Sequence, residues 1–393
     1  MKIAFLGSRG IPARYSGFET FYEQLAVRLV RRGHQVTVYN RRHFMPDIRG
    51  TYKDVRIVSL PSIPTKHLDT ITHTALSSIH ALGGRYDIVY YCIVGNSPLV
   101  WIPRMVGAKV LLNVDGQDGA REKWGRLARL YQRGCERIAI RTAHVIVADS
   151  RVIQDRYRQL YGAHSVFVPY GANVARNAGT AALAKWNVEP RRYVLYVGRF
   201  VPENAIHLLI EAFRRLETDM KLVLIGDAPH SDDYKRVLHA AAGDDRRIVF
   251  TGYAFGDDYA QLSSHAYLAV QPSAVDGTRP AVLDQMGFGN PVVARNSPAN
   301  METLGTGGFS FDRSRPAEAL AELLRALIAA PLDVESCRER ALKRIAEYYN
   351  WEWITDFYED HFARLMQKRP LIDYDAFLSD RVQAGGGRLG GME

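Results

Sequence analysis

The sequence predicts an α/β protein built from two doubly wound, mainly parallel sheets. Short apolar runs of strand length alternate with amphipathic helical patterns from the first residues onward. The alternation stops in a polar stretch near 174–190 and then begins again. The chain has 393 residues, too many for one ordinary core.

In the first half, "KIAFLG" reads as a strand and "FETFYEQLAVRLVRRG" as an amphipathic helix ending at Gly33. "QVTVYN", "DVRIVSL", "DIVYYCIV" and "KVLLNVDG" are further strands. "HVIVADS" is a buried strand, after which Ser150 caps the helix "RVIQDRYRQLYG", and "SVFVPYGA" closes this half. In the second half "RYVLYVGRF", "KLVLIGD", "RRIVFTGY", "AYLAVQPS" and "NPVVARN" read as strands. Between them lie the helices "AIHLLIEAFRRLE", "DDYKRVLHAAA" and "RPAVLDQMGFG". The expected domains are residues 1–175 and 185–348, with a hinge in the 170s to 180s. The aromatic-rich stretch at 349–368 reads as a helix packing back on the first domain. Residues 383–393, "QAGGGRLGGME", have nothing to bury and are expected to be disordered.

At 47% hydrophobic and 24% charged the composition is globular, and no apolar run reaches the roughly 18 residues of a membrane span. The N-terminus lacks the pattern of a secretory signal, and the three cysteines have no metal or disulfide spacing. A reduced, cytoplasmic protein is expected. The net charge of +9 is uneven. Residues 1–175 hold 25 Lys and Arg against 12 Asp and Glu, a net of +13, and the remainder holds 26 against 30, a net of −4. The first half is therefore expected to meet something anionic: a nucleic acid, an anionic membrane or a diphosphate-linked substrate.

In such sheets ligands bind beyond the carboxyl ends of the strands, and the distinctive short motifs all fall there. "LGSRGIPARYSGFE" follows the first strand. Gly7, Gly10 and Gly17 allow close backbone approach to a ligand and open a helix whose N-terminus suits an anion, although an ordinary strand-to-helix loop looks the same. The spacing is neither a dinucleotide fingerprint nor a P-loop. "VGRF" puts Arg199 at a strand end, where it suits a phosphate or a plain surface ion pair. In "VDGTRPAVLDQM", Asp276 lies in a loop, Gly277 and Thr278 offer N–H groups, and Pro280 fits the first helical turn. Asp284 then sits about one turn in. The two acids suit sugar hydroxyls, or they complement a helix dipole. Asp115, in "VDGQDG", is a candidate acid or a turn aspartate. Arg129, Arg133, Arg137 and Arg141 recur every four residues as one helical stripe, with Leu127, Leu130, Tyr131 and Ile138 read as its buried side. The 21 tyrosines and many arginines could suggest stacking on RNA, but no compact RNA-binding motif is present.

Taken together, "GSRGIPARYSGFETFYEQLAVRLVRRGHQVTVYNRR", "NVDGQDGAREKWGRLARLY", "IVADSRVIQDRYRQLYG", "VPYGA", "VGRFVPEN" and "GTRPAVLDQMGFGNPVV" resemble the retaining glycosyltransferases of family 4. The likeness runs from Met1 to about Met366 and is strongest to a bacterial, rhamnosyltransferase-like branch that builds surface polysaccharides. It implies the GT-B fold, in which two Rossmann-like domains face a central cleft. It implies a retaining, metal-independent hexosyltransferase moving sugar from a nucleoside diphosphate to a lipid-linked or saccharide acceptor. A dTDP-rhamnose donor is the branch-level expectation, with mannose, glucose or galactose donors open. No cofactor, metal or nucleic-acid partner is expected, and a peripheral place on the anionic inner membrane face stays open. By the same resemblance Arg199 meets the donor diphosphate, Asp284 the ribose and Asp276 the sugar. Gly198, Asn204, Gly226, Gly277, Thr278 and Arg279 complete the donor site, Gly252 and Tyr253 line the nucleobase pocket, and Gly10, Ser16 and Gly17 form the acceptor and diphosphate loop. Asp115 takes the place of a His beside the anomeric carbon.

Two departures stand out. Asn204 occupies the place of a family Lys, and Asp276 and Asp284 replace a pair of Glu, each about 1.5 Å shorter in reach. Arg279 is a candidate for the missing charge. A catalytically degraded GT-B protein that binds nucleotide or glycan in a regulatory role is the alternative.

Overall fold

The structure, a computed structural model, describes residues 1–14, 16–65, 68–114, 126–177, 179–228, 231–273 and 277–384. The chain divides into two compact units. Unit 1 is Met1–Tyr170 together with the chain from Trp351 onward, and unit 2 is Gly171–Asn350.

Unit 1 runs β1 (Lys2–Leu6), α1 (Gly17–Arg31), β2 (Gln35–Arg41), β3 (Gly50–Tyr52), β4 (Val55–Leu60), α2 (Asp69–Gly84), β5 (Ile88–Cys92), α3 (Trp101–Arg104), β6 (Lys109–Asn113), α4 (Arg126–Thr142), β7 (Val145–Ala148), α5 (Arg151–Tyr161) and β8 (Val166–Phe167). Unit 2 runs α6 (Ala181–Lys185), β9 (Tyr193–Val197), α7 (Ile206–Arg214), β10 (Lys221–Ile225), α8 (Asp232–Ala242), β11 (Ile248–Gly252), α9 (Gly256–Ser264), β12 (Leu268–Gln271), α10 (Pro280–Gly287), β13 (Val292–Arg295), α11 (Pro298–Leu304), β14 (Gly308–Phe311), α12 (Pro316–Ala329) and α13 (Pro331–Tyr348). Then α14 (Trp351–Met366) and α15 (Tyr374–Ala384) rejoin unit 1.

The first sheet has the order β3-β4-β2-β1-β5-β6-β7-β8 and is parallel except for β3. The β3–β4 hairpin turns through Lys53 and Asp54, both at positive φ (47° and 67°). No Asn-Gly or Asp-Gly marks that turn, so the sequence hides it. The second sheet, β11-β10-β9-β12-β13-β14, is wholly parallel. Such strands are buried on both faces. In β9, Val194 and Tyr196 enter one core while Tyr193 and Leu195 enter the other.

Aromatic packing holds α14 in unit 1. Phe21 of α1 lies 5.6 Å from both Tyr90 and Tyr358, ring centre to ring centre, and the Tyr90 and Tyr358 hydroxyls are 3.1 Å apart. At the rim Arg32 bonds Glu352, Asp356 and Glu359 of α14. The first unit ends at Tyr170, short of the expected 175. The backbone decides this: Ala172 N–H donates to Tyr349 O and Ala175 N–H to Gly287 O, both in unit 2.

One expectation is overturned. Leu130, Tyr131 and Ile138 of α4 are 66%, 49% and 36% exposed. The side of α4 that turns inward carries Gln132, Cys135, Glu136 and Ala139 instead. Glu136 can be buried because Arg156 and Tyr161 of α5 donate to its carboxylate, so polarity misleads here. No helix among the described residues is long and apolar enough to cross a membrane.

Candidate nucleotide and sugar site

The site in unit 2 is built from the loops that leave its parallel strands. Gly198, Gly226 and Gly252 sit at the carboxyl ends of three neighbouring strands, β9, β10 and β11. Gly198 N–H donates to Ile225 O at 3.0 Å and Gly226 N–H to Gly252 O at 2.9 Å, so the backbones stay paired up to the loops. At Gly226 only glycine fits: φ is +141°, and an added Cβ would lie 1.9 Å from Gly198 O.

Past Gly198 the exposed Arg199 begins a loop fastened by Asn204. Asn204 is buried, its Nδ2 donates to Arg199 O at 2.7 Å, and its Oδ1 accepts from Arg279 Nη1 at 3.2 Å. Arg279 Nη2 donates to Ser273 Oγ at 2.5 Å, and Ser273 Oγ in turn donates to Glu203 O at 2.7 Å. The loop after β9 and the loop before α10 are thus stitched together. This places the Arg279 guanidinium against Asn204, the residue that stands where the resemblance has a Lys. Gly277 has φ +109°, Thr278 is buried, and Arg279 is the residue before Pro280, the first of α10.

Asp284 lies in α10, half-buried, with no hydrogen bond to its carboxylate among the described residues. Burial pushes its carboxyl up to about 7. Neighbouring Tyr259 is raised first by its own burial and then by the charge of Asp284. The helix is rigid beneath: Gln285 Nε2 donates to Ser263 Oγ at 3.0 Å, and Asn290 Nδ2 to Gln285 Oε1 at 2.8 Å. After β11, Tyr253 stacks on Phe255 at 5.7 Å and 20°, and the two are 44% and 62% exposed. Asp276 and Asp115 lie outside the described residues.

In unit 1 the glycine loop is pinned by side chains. Gly10 has φ +113°, and a Cβ there would lie 2.1 Å from Asn40 Oδ1. Asn40 is buried and pairs with Ile11 as a strand would, accepting from its N–H at 3.0 Å and donating to its O at 2.7 Å. Glu23 accepts from Ala13 N–H at 2.8 Å and from Tyr52 OH at 2.7 Å. Glu19, fully buried, accepts from Arg14 N–H at 3.0 Å and from Ser16 Oγ at 3.2 Å. Ser16 is the N-cap of α1, which begins at Gly17. Sequence reasoning missed Asn40, Glu19, Glu23, Ser273 and Phe255. Only Glu19 carried a local signal, the Ser-x-x-Glu spacing of a capping box with Ser16.

Two family models match. Residues 16–171 fit the glycosyl transferase 4-like domain, and residues 191–330 fit the glycosyl transferases group 1. The chain belongs to the family-4 glycosyltransferases. Among its relatives are the O-antigen chain mannosyltransferase B of Escherichia coli, 29% identical over 43% of this chain and 45% of that one. The lipopolysaccharide 1,2-N-acetylglucosaminetransferase of Salmonella typhimurium is 25% identical over 57% of this chain and 63% of that one. The chain spans about half the length of the curated relatives it matches. Among solved structures, a sucrose-phosphate synthase from Thermosynechococcus elongatus superposes with a TM-score of 0.80 at 20% identity, over 93% of this chain and 99% of that one. Anabaena HepE in complex with UDP-glucose gives 0.77 at 18%, over 94% and 100%. The fold of this family-4 member is GT-B, with two parallel-sheet, Rossmann-like domains.

Proposed function

We propose that this family-4 member moves a hexose from a nucleoside diphosphate sugar to a lipid-linked or saccharide acceptor, in surface polysaccharide synthesis and with retention of configuration. The observation that carries the reading is the stitched loop pair of unit 2: Arg279 bonded to Asn204, and Asn204 holding the Arg199 backbone beside the glycine strand ends. Arg199 begins this loop at the end of β9 and Arg279 lies across from it, and arginine suits a diphosphate, which it can grip bidentately. The relatives, an O-antigen mannosyltransferase and a lipopolysaccharide N-acetylglucosaminetransferase, support the substrate class. HepE was solved with UDP-glucose, so UDP sugars stand beside dTDP-rhamnose as donors to test.

In this reading Arg199 and Arg279 neutralise the departing diphosphate, so the transfer is metal-independent. Arg279 supplies the charge that Asn204 lacks. Asp284, as carboxylate, accepts from the ribose hydroxyls, and Tyr253 with Phe255 offers a stacking surface to the nucleobase. Asp276 and Asp115 keep the roles the family implies, the sugar contact and the group beside the anomeric carbon. Gly10, Ser16 and Gly17 form the acceptor and diphosphate loop. The leaving phosphate takes the acceptor proton as the new glycosidic bond forms on the face it leaves. The place of action is the cytoplasm, at the inner membrane face.

Calorimetry with UDP and dTDP, then donor hydrolysis in EDTA, tests this. Arg199→Ala and Arg279→Ala are each expected to weaken nucleotide binding at least tenfold. Proton NMR of the product reports the anomeric configuration. Undiminished UDP and dTDP binding in both variants overturns the reading.

A further inference from the structure

The glycine loop of unit 1 is tied down step by step. Gly10 N–H donates to Ser8 Oγ at 3.1 Å, and Asn40 pairs with Ile11. Glu19 and Glu23 stand four residues apart on one face of α1 and take the next two donors. Ala13 N–H goes to Glu23 at 2.8 Å and Arg14 N–H to Glu19 at 3.0 Å. These anchors differ in what stands behind them. Asn40 and Glu19 are fully buried. Glu23 is reached from outside: its Oε1 accepts from Tyr52 OH at 2.7 Å and from Lys53 Nζ at 3.0 Å, while its Oε2 holds the loop.

Tyr52 ends β3, and Lys53 begins the turn to β4. This hairpin lies at the rim of the sheet, with β3 as the edge strand. Gly50, Thr51, Lys53 and Asp54 are all exposed, so the tip has little apolar surface to bury. Its turn is also strained. Lys53 and Asp54 both have positive φ, where a two-residue turn ordinarily takes Gly or Asn. Such backbone persists where its surroundings fix it, and here the fixing contact is Tyr52 and Lys53 on Glu23. An ion pair whose lysine is 53% exposed adds little to stability, so holding up the fold does not account for it. The carboxylate does respond. Burial alone would raise Glu23, but the Ala13, Tyr52 and Lys53 donors bring it below the usual value. Glu23 is therefore a full charge, with one oxygen turned to the hairpin and the other to the loop.

We propose that Tyr52 and Lys53 are positioning residues for the acceptor loop, acting on Ala13 through Glu23. The hairpin engages one Glu23 oxygen and so fixes the side-chain rotamer that brings the other to Ala13 N–H. Without it the Glu23 side chain regains its freedom, and the loop loses the anchor before the exposed Arg14. The proposal deepens the reading above and rests on it for one point, that the loop holding Gly10, Ser16 and Gly17 meets the acceptor. It assigns the hairpin to acceptor affinity and leaves the nucleotide, read to unit 2, untouched.

Hydrogen exchange of the full chain, followed by mass spectrometry on peptides covering 8–18, probes the coupling without any acceptor. Tyr52→Phe with Lys53→Met is expected to speed exchange of this segment about fivefold, the worth of one net hydrogen bond. Lys53→Arg keeps the charge and is expected to match the wild type. An unchanged melting temperature in both variants shows that these exposed sites leave the fold intact. Transfer to octyl β-glucoside and octyl α-mannoside gives the functional readout. The double variant should raise the glycoside KM about fivefold with kcat and UDP and dTDP binding unchanged. Three results overturn the proposal: unchanged exchange in the double variant, faster exchange with the glycoside KM unmoved, or weakened UDP and dTDP binding in that variant. A wild type that binds neither nucleotide sinks the donor reading alone. One that binds nucleotide but transfers to neither glycoside sinks the acceptor reading, and the exchange result still decides whether the hairpin positions the loop.

Discussion

Asp284→Asn replaces a carboxylate that burial has pushed up to about 7 with an amide of the same shape that cannot ionise. The ordinary value is 3.8, and each pK unit is worth about 1.4 kcal/mol, which sets a ceiling of about 4 kcal/mol on the cost of ionising this group in the fold. Asp284 keeps some contact with solvent, and screening brings the figure to roughly 2 kcal/mol. The folded-state value lies above the unfolded one, so between about pH 4 and 7 the folded chain holds a proton that the unfolded chain has released. Stability therefore falls as pH rises through that window, and the full cost is present above pH 7. Urea unfolding of unit 2 is expected to show Asp284→Asn more stable than the wild type by roughly 2 kcal/mol at pH 8, with the gain shrinking as the pH is lowered towards 5. The same variant should bind UDP or dTDP about tenfold more weakly at pH 8, since a charged acceptor for ribose hydroxyls is gone. Wild-type affinity should likewise decline below pH 7 as Asp284 takes up its proton. A stability difference that is absent at pH 8, or that does not change with pH, would refute the reasoning.

Other sites give sharper yes-or-no outcomes. Gly226→Ala puts a methyl group 1.9 Å from Gly198 O, so the loop carrying Arg199 must shift. Loss of nucleotide binding by calorimetry and a destabilisation of roughly 1–3 kcal/mol are expected. Arg338, buried in α13, donates to Gly289 O at 2.5 Å and Tyr267 O at 2.8 Å. Arg338→Ala should cost about 3 kcal/mol in urea unfolding, because it strands those carbonyls. Arg32→Ala removes three contacts to α14 at the solvent edge and should cost only about 1 kcal/mol, less in high salt. Asn40→Ala should leave UDP and dTDP binding on unit 2 intact and raise the acceptor KM, since it frees the Gly10 loop of unit 1.

Much of the architecture was legible because it rests on local chemistry. The apolar runs of β1, β5, β6 and β9 are continuous or nearly so, which is what burial on both faces of a parallel sheet demands. Ser150 before α5 and Pro280 opening α10 announced their helices through capping and a fixed φ. Gly226 and Gly10 could be noticed as glycines, but not why they must be glycines. The Cβ of one would strike the carbonyl of a neighbouring strand, and that of the other an asparagine thirty residues away.

What the sequence by itself determined is the alternation of most strands and helices, its restart in a second half and the residue types at the strand ends, since periodicity and loop chemistry act over a few residues. Only the tertiary structure decided three things. It set Arg279 on Asn204 across 75 residues, because two loops leave neighbouring strands. It raised Asp284 towards neutrality, because desolvation depends on what packs around a helix and not on the helix itself. And it turned Leu130 and Tyr131 outward, because a buried Glu136 found its partners on α5 and claimed the inner side of α4.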